Sequence, residues 1–213
     1  MAHKDKAAEG EFLWLMSLSD LMILLFVFFV VLFSFSYKRM KQKDFAQINA
    51  ILNNKDVPKT AIDDVGASLR SKLKEMQMSD QVTIDIEDDQ LTMQIRDTIL
   101  FGSGQFDMKT EAESLIRVVG NAIEKVPPPY RIGIEGHTDD VPIHTNSIAD
   151  NWELSTRRAH SLLSSLSLSD AALKRIVIMG YAEMMPLLPN RNPAGEAIPE
   201  NQAKNRRVTI RIF

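Results

Sequence analysis

The distribution of apolar residues separates a long N-terminal run from a patterned remainder. The run extends from Leu13 to Phe35 and is interrupted by few polar residues. At 1.5 Å per residue, a helix of this length crosses the ~30 Å hydrocarbon layer of a bilayer. Trp14 and Tyr37 flank the run as interfacial anchors. The pattern predicts a transmembrane helix over residues 13–37.

Two later segments place apolar residues three and four positions apart, which predicts amphipathic helices. The first covers residues 41–52, with Phe45, Ile48, Ile51 and Leu52 on one side. The second runs from about Thr60 to Met76. A polar stretch ending in Pro58 separates them, because such residues interrupt regular structure.

From residue 82 the apolar period changes to two, which predicts strands. Val82, Ile84 and Ile86 alternate with polar residues, and a second alternating run follows a turn at 87–90. Further along, the pattern predicts a loop at 102–104, helices at 110–125 and 152–166, strands at 130–135 and 208–212, a buried strand at 175–179 and a long surface loop at 184–203.

This order of elements is typical of an α+β domain, a mixed sheet with helices on one face. We therefore divide the chain into four parts. They are a tail at 1–12, the transmembrane helix at 13–37, a linker segment at 38–64 and the folded domain at 65–213.

Composition narrows the classes of function. The formal net charge is −3, so no nucleic-acid partner is expected. There is no cysteine, which excludes disulfides and cysteine-ligated metal. His137 and His144 lack a third ligand at a suitable spacing, so we expect no metal site and no cofactor. No nucleophile–base pair is recognisable, and we expect no enzyme.

Asp20 is the residue that most needs an explanation, because it lies inside the apolar run. A carboxylate at the centre of a membrane helix costs about 2.5–3.5 kcal/mol on insertion scales. Such a group usually carries or binds an ion. Two structural alternatives stay open: Asp20 snorkels to the near interface, or it hydrogen-bonds a partner helix. A cleaved signal peptide is disfavoured by the length of the run and the lack of an A-x-A-like site.

Several ordered motifs lie between residues 78 and 213. They are Phe101-Gly102-Ser103-Gly104, Glu135-Gly136-His137-Thr138-Asp139, Asn151-Trp152-Glu153-Leu154-Ser155 followed by Arg157-Arg158, and Asn205-Arg206-Arg207-Val208. This region resembles the OmpA-like peptidoglycan-binding domain. The N-terminal motif Ser19-Asp20-Leu21-Met22, followed by Phe28-Phe29-Val30, resembles the span of MotB-type flagellar stator subunits.

The resemblance implies a ligand, the zwitterionic meso-diaminopimelate stem of peptidoglycan. Asp139 would face its ammonium group, and Arg158 would face its carboxylate with a guanidinium fork. The resemblance further implies that four residues shape the pocket and two form its wall: Thr138, Asn151, Leu154 and Ser155, then Asn205 and Arg206. Trp152 is expected to be a core anchor.

The same resemblance implies a B subunit of an ion-driven stator in the bacterial inner membrane. Asp20 would pass H⁺ or Na⁺, with no bound cofactor. The chain would form a homodimer inside a ring of a multi-span MotA-type A subunit, and residues 41–52 would be either a plug or a simple linker helix. The N-terminus would be cytoplasmic and the domain periplasmic, although the Lys/Arg count around the span favours the opposite orientation.

Three rival functions remain. One is a motor of the same superfamily in another system, such as Zorya-type antiphage defence. Another is a passive peptidoglycan tether, which leaves Asp20 unexplained. The third is a scaffold like ExbD or TolR, which share a membrane aspartate but lack this wall-binding pattern.

Overall fold

The computed structural model describes residues 2–39 and 60–213. The chain divides into two compact units, Met1–Pro58 and Lys59–Phe213. The predicted plug at 41–52 lies outside the described residues.

The described residues of the N-terminal unit form the long helix α1, at Ala2–Arg39. Within it, Met16–Ser34 is long and apolar enough to cross a membrane, judged by length and composition. The large apolar side chains along this stretch are exposed, as expected of a helix whose neighbours are lipid or partner subunits.

The C-terminal unit is an α+β domain. In chain order it contains α2 (Ala61–Glu75), β1 (Val82–Glu87), β2 (Gln90–Arg96), α3 (Asp97–Leu100), α4 (Glu113–Glu124, after a short 3₁₀ turn at Thr110–Ala112), β3 (Ile132–His137), α5 (Asn151–Ser165), α6 (Asp170–Leu173), β4 (Ile176–Gly180), α7 (Pro199–Asn205) and β5 (Arg207–Ile212). The five strands form one sheet in the order β1-β2-β5-β3-β4. The β3–β4 pair is parallel and the other pairs are antiparallel.

One face of the sheet forms the hydrophobic core. Cross-strand neighbours such as Met93 and Ile210, and Ile134 and Ile210, point to the same side, where the helices pack. The opposite face carries polar neighbours, among them Gln94 with Thr209 and Glu135 with Thr209. The predicted mixed sheet with helices on one face is therefore confirmed.

Local sequence signals explain two well-predicted elements. Thr60 forms a capping box with Asp63 at the start of α2, which satisfies free amide groups of the first turn. Asp88 and Asp89 both have positive φ in the two-residue turn between β1 and β2. Asp tolerates this conformation, which matches the twist of a tight hairpin.

Four details differ from the sequence predictions. The proposed boundary at 64/65 falls inside α2, and buried Ile62 makes the helix part of the C-terminal unit. A short helix, α3, precedes the predicted loop at 102–104. The strand predicted as buried, β4, is a partly exposed edge strand, because a sheet edge is covered on fewer sides. The predicted loop at 184–203 contains the start of α7, with Pro199 in its first turn.

Candidate ligand-binding site

A pocket of about 480 Å³ opens where the end of β3, the start of α5, the segment after β2 and the α7–β5 junction meet. Six of the eight residues predicted for the ligand site line it: Thr138, Asp139, Asn151, Leu154, Arg158 and Arg206. Residues far apart in the chain therefore form one concave surface, as expected of a binding site.

Asp139 lies two residues beyond the end of β3 and is 7% exposed. Its Oδ2 accepts a hydrogen bond from Arg206 Nη1 at 2.6 Å, and its Oδ1 accepts one from the main-chain N–H of Val141 at 3.2 Å. The carboxylate is thus held in one orientation at the edge of the pocket. A charge-assisted pair of this length is strong and directional.

Arg158 projects from α5 and is 2% exposed. Its Nε donates to the carbonyl of Gln105 at 2.9 Å, and its Nη1 donates to Asp97 Oδ2 at 3.0 Å. The guanidinium carbon lies 5.3 Å from the centre of the Phe101 ring. The predicted cation is therefore present in the pocket wall, fixed by three separate contacts.

Asp97 is a pocket residue that the sequence analysis missed. It is buried between two cations, since Arg206 Nε lies 3.6 Å from the Asp97 oxygen that Arg158 also contacts. Burial raises the pKa of Asp97, and the two guanidinium groups oppose this shift. The sequence does contain a signal for Asp97, because this carboxylate directly follows the alternating residues of β2 and lies four residues before Phe101.

The four charges form an alternating series, from Asp139 to Arg206, then Asp97, then Arg158. An anion therefore lies at one end of the series and a cation at the other. A zwitterionic group presents the complementary arrangement, an ammonium near a carboxylate. The geometry suits such a ligand because each of its charges meets an opposite charge.

Thr138 and Asn151 hold the loop that carries Asp139. The Thr138 hydroxyl donates to the Asp139 carbonyl at 2.9 Å. The Asn151 side-chain amide donates to the Val141 carbonyl at 3.0 Å and, at 3.4 Å, to the Asp139 carbonyl. Asp150 caps α5 by accepting from the N–H of Glu153, which fixes where Asn151 begins the helix.

Ser155 was predicted to shape the pocket and Asn205 to form part of its wall, and the structure places both behind the lining residues. Both are completely buried and neither lines the pocket. The Ser155 hydroxyl donates to the Trp152 carbonyl and accepts from the N–H of Ala182. These contacts join α5 to the segment after β4. Ser155 therefore supports the site from behind.

Asn205 supports a different segment. Its Oδ1 accepts from the N–H groups of Leu187 and Leu188 at 2.8 and 3.1 Å, and its Nδ2 donates to the Leu188 carbonyl at 2.8 Å. Trp152, expected in the core, is 50% exposed because it lies on the solvent side of the first turn of α5.

Asp20 belongs to the N-terminal unit and lies within the apolar stretch of α1, where its side chain is exposed. No group of three or more potential metal-ligating side chains occurs among the described residues. His137 is buried on the polar face of the sheet, where its ring stacks on Tyr181 with 5.3 Å between the ring centres.

Comparisons with known proteins agree with this two-part organisation. The OmpA family matches residues 100–206, which include most of the pocket. A second family, described as membrane MotB of the proton-channel complex MotA/MotB, matches residues 1–55, which include α1 and Asp20. The chain thus combines a membrane segment of one family with a domain of the other.

Individual relatives match large parts of the chain. The uncharacterized protein YtxE of Bacillus subtilis is 28% identical over 97% of this chain and 90% of its own length. Motility protein B of the same organism is 29% identical over 71% of this chain, which spans 56% of that relative. The cell wall anchor of the T6SS from Pseudomonas aeruginosa has a similar structure, with a TM-score of 0.58 and 27% identity over 68% of this chain and 96% of the anchor.

The fold and the matched region define an OmpA-like domain that follows a membrane helix in the chain. The chain belongs to the OmpA family and is a MotB-type member of it, resembling a stator B subunit. Proteins of this type are structural components of motors and envelopes, so the chain is not an enzyme. The family match over α1 also makes it a membrane protein with a spanning helix near the N-terminus.

Proposed function

We propose that this chain is the B subunit of an ion-driven rotary stator, in the flagellar motor, anchored to peptidoglycan. The observation that carries the proposal is the presence of two specialised features in one chain. Asp20 lies within an apolar helix, and Asp139 and Arg158 lie in a pocket of a separate unit. An ion-coupled motor needs both, because torque requires a fixed point against which to push.

The ligand of the domain is the meso-diaminopimelate stem of peptidoglycan. Asp139 receives its ammonium group, and Arg158 receives its carboxylate. Two of the Arg158 nitrogens already donate to Asp97 and Gln105. Among the described residues Nη2 has no hydrogen-bond partner, so it supplies the donor for the ligand. Arg206, which is half-buried, moves aside or shares Asp139 as the ammonium enters.

Asp20 is the ion-carrying residue. A carboxylate in hydrocarbon is costly, so it is retained where an ion binds it reversibly. H⁺ or Na⁺ reaches Asp20 through a cavity formed with a MotA-type A subunit, whose multi-span ring surrounds a dimer of this chain. Binding and release of the ion change the contacts between the subunits and drive rotation.

The orientation follows from the ligand. Peptidoglycan lies outside the inner membrane, which places the domain in the periplasm and the N-terminus in the cytoplasm. The lysines and arginines after the span belong to the linker or plug segment. Charge bias near a span is a tendency, and a folded domain that must reach the wall overrides it.

Ion flux tests this proposal. The chain is reconstituted in liposomes with its A-type partner in four forms: wild type, Asp20→Asn, a deletion of residues 41–52, and the deletion combined with Asp20→Asn. We expect the chain with the deletion to leak H⁺ or Na⁺. The same deletion combined with Asp20→Asn should abolish the leak. Absence of conduction in every variant, with peptidoglycan binding retained, would contradict the motor.

A chain that binds peptidoglycan but conducts no ions would be a passive wall tether, a function suggested by the likeness to a T6SS cell wall anchor. A motor in another system, such as Zorya-type antiphage defence, would give the same flux as the flagellar stator. Restoration of swimming in a stator-deficient strain distinguishes these two, because only a flagellar subunit restores it.

A further inference from the structure

A second pocket lies on the polar face of the sheet, away from the first. Its volume is about 250 Å³, and it is lined by Gln81, Thr83, Gln94, Arg96, Leu187, Leu188, Lys204 and Arg207. We call it the basic pocket, because three of these residues are cationic. None of the described residues that line it is acidic.

Arg207 is the buried member of this set and is 6% exposed. Its Nη1 donates to the carbonyl of Asn205 at 3.0 Å and its Nη2 to the carbonyl of Met185 at 3.1 Å. Its Nε is buried and has no hydrogen-bond partner among the described residues. Burial lowers the pKa of Arg207 to about 10, which leaves it charged at neutral pH. Glu135, on the neighbouring strand β3, opposes this shift from a distance, and the hydrogen bonds of the Arg207 guanidinium itself go to neutral carbonyls.

Arg96 lies directly opposite Arg207 in the β2–β5 pair, on the same face of the sheet. Side chains in such positions have Cβ atoms about 5 Å apart, and like charges there destabilise the sheet. Lys204, on α7, adds a third cation to the same pocket. The three cations therefore give this part of the surface a positive potential, which favours the binding of an anion.

The remaining lining residues fit a multivalent oxyanion. Gln81 and Gln94 offer side-chain N–H donors and Thr83 a hydroxyl, beside the three cations. Leu187 and Leu188 close one side, and their main chain is fixed by Asn205. A carboxylate carries one charge on two oxygens. A phosphate carries up to two charges on several oxygens, so it matches three cations better.

We propose that the basic pocket binds a phosphate monoester. The segment Asn205-Arg206-Arg207 connects this pocket to the pocket that contains Asp139 and Arg158. Arg206 contacts Asp139, and Arg207 lines the basic pocket on the polar face of the sheet. Phosphate binding does not depend on the proposed motor function. The phosphate is supplied either by a small phosphorylated molecule or by the headgroup of an anionic lipid.

Calorimetric titration tests the proposal with the purified full-length chain in detergent micelles at low ionic strength. The probes are inorganic phosphate, glycerol 3-phosphate and a soluble short-chain phosphatidic acid, with acetate as a carboxylate control. We expect phosphate-containing probes to bind and acetate to bind at least tenfold more weakly. Binding of glycerol 3-phosphate indicates a small-molecule source, and binding of the lipid alone indicates a headgroup.

Arg96→Gln and Lys204→Gln locate the binding. Both side chains are exposed, so the fold tolerates their replacement. Each should weaken phosphate binding about tenfold, the effect of losing one charge-assisted contact. Arg131→Gln and Lys125→Gln are the matched controls, because they remove the same charges from exposed positions outside the pocket.

A second readout is thermal. The phosphate probe that binds should raise the unfolding temperature of the wild type and of both controls, and should raise it less in Arg96→Gln. The proposal is overturned if no phosphate probe binds at millimolar concentration, if acetate binds equally well, or if the pocket variants and the controls bind alike.

Discussion

The Asp139 carboxylate and the Arg206 guanidinium form an ion pair of 2.6 Å, although the two residues lie 67 positions apart in the chain. The pair joins the loop after β3 to the residue that precedes β5. Because these two strands are neighbours in the sheet, the pair places an anion at a defined position in the pocket. Arg206 also approaches Asp97, and so the pair connects both acidic groups of the site.

Replacement of Asp139 by Asn should weaken binding of a soluble meso-diaminopimelate stem peptide. The amide keeps the shape but cannot pair with an ammonium, and loss of one partner of a buried charged contact costs about 2–3 kcal/mol or more. Titration calorimetry on the full-length chain in detergent measures this effect. Asp85→Asn, on an exposed strand position, is the control. Equal affinities for both variants would rule out Asp139 as the ammonium acceptor.

Replacement of Asp97 by Asn should destabilise the domain. Asp97 lies between Arg158 and Arg206, and its loss leaves the nearly inaccessible Arg158 without its carboxylate partner. Breaking a buried pair in this way costs about 3–5 kcal/mol. The free energy of unfolding in urea, followed by circular dichroism, provides the measurement. Asp80→Asn, at an exposed position, should change it by less than about 0.5 kcal/mol.

His137 should make the stability of the domain depend on pH. Burial lowers the pKa of His137 below its ordinary value of 6.5, with Arg207 adding to the shift and Glu135 opposing it. The unfolded chain therefore takes up the proton at a higher pH than the folded domain does. The stabilising contribution is present above pH 6.5 and is lost as the pH falls through the lowered folded-state pKa.

The comparison that isolates this effect uses His137→Gln. The free energy of unfolding is measured from pH 7.5 to 5, above the range in which most carboxylates titrate. The wild type should lose more stability over this range than His137→Gln does. His160→Gln, which changes an exposed histidine, should behave like the wild type. Parallel pH curves for all three proteins would contradict the prediction.

Two glycines should respond in opposite directions to replacement by Ala. A Cβ on Gly136, in β3, would lie 1.9 Å from the main-chain oxygen of Ser155, and neither backbone can move without separating α5 from the sheet. Overpacking of this kind costs about 1–3 kcal/mol, and more where backbone is involved. A Cβ on Gly120, within α4, would meet Leu166 at an ordinary 3.6 Å.

Gly120→Ala should therefore stabilise the domain by about 0.5–1 kcal/mol, because alanine loses less entropy in a helix. Thermal unfolding of the two variants and the wild type tests the expected stabilisation and the expected destabilisation in one experiment. A destabilised Gly120→Ala would indicate that α4 and Leu166 pack more tightly than the structure shows. An unchanged Gly136→Ala would indicate that α5 lies further from β3.

Much of the fold could be predicted because its signals are local. The alternation of Val82, Ile84 and Ile86 predicts β1, and the polar turn after Glu87 predicts the hairpin. Thr60 and Asp63 are three residues apart, so their capping box can be recognised from sequence. Each of these features depends on residues within one turn or one strand of each other.

Local sequence signals could not distinguish the residues that line the site from those that support it from behind. Ser155 and Leu154 are adjacent, yet Leu154 lines the pocket and Ser155 contacts Ala182 behind it. Asp97 was missed because its partners, Arg158 and Arg206, are distant in the chain. The family resemblance identified the important motifs, while the direction of each side chain depended on how α5 packs against β3 and β4.

The sequence by itself determined the apolar helix with Asp20 and the α+β class, while its resemblance to a known family implied the six residues that meet in the pocket. Periodicity and turn chemistry act over a few residues, and they are visible along the chain. The tertiary structure alone decided that Asp97 completes the charge series and that Arg96 opposes Arg207 on the other face of the sheet. Both relations arise from the strand order β1-β2-β5-β3-β4, in which the last strand pairs with the second and third. Non-local pairing of this kind is set by the packing of the whole domain, and no local pattern encodes it.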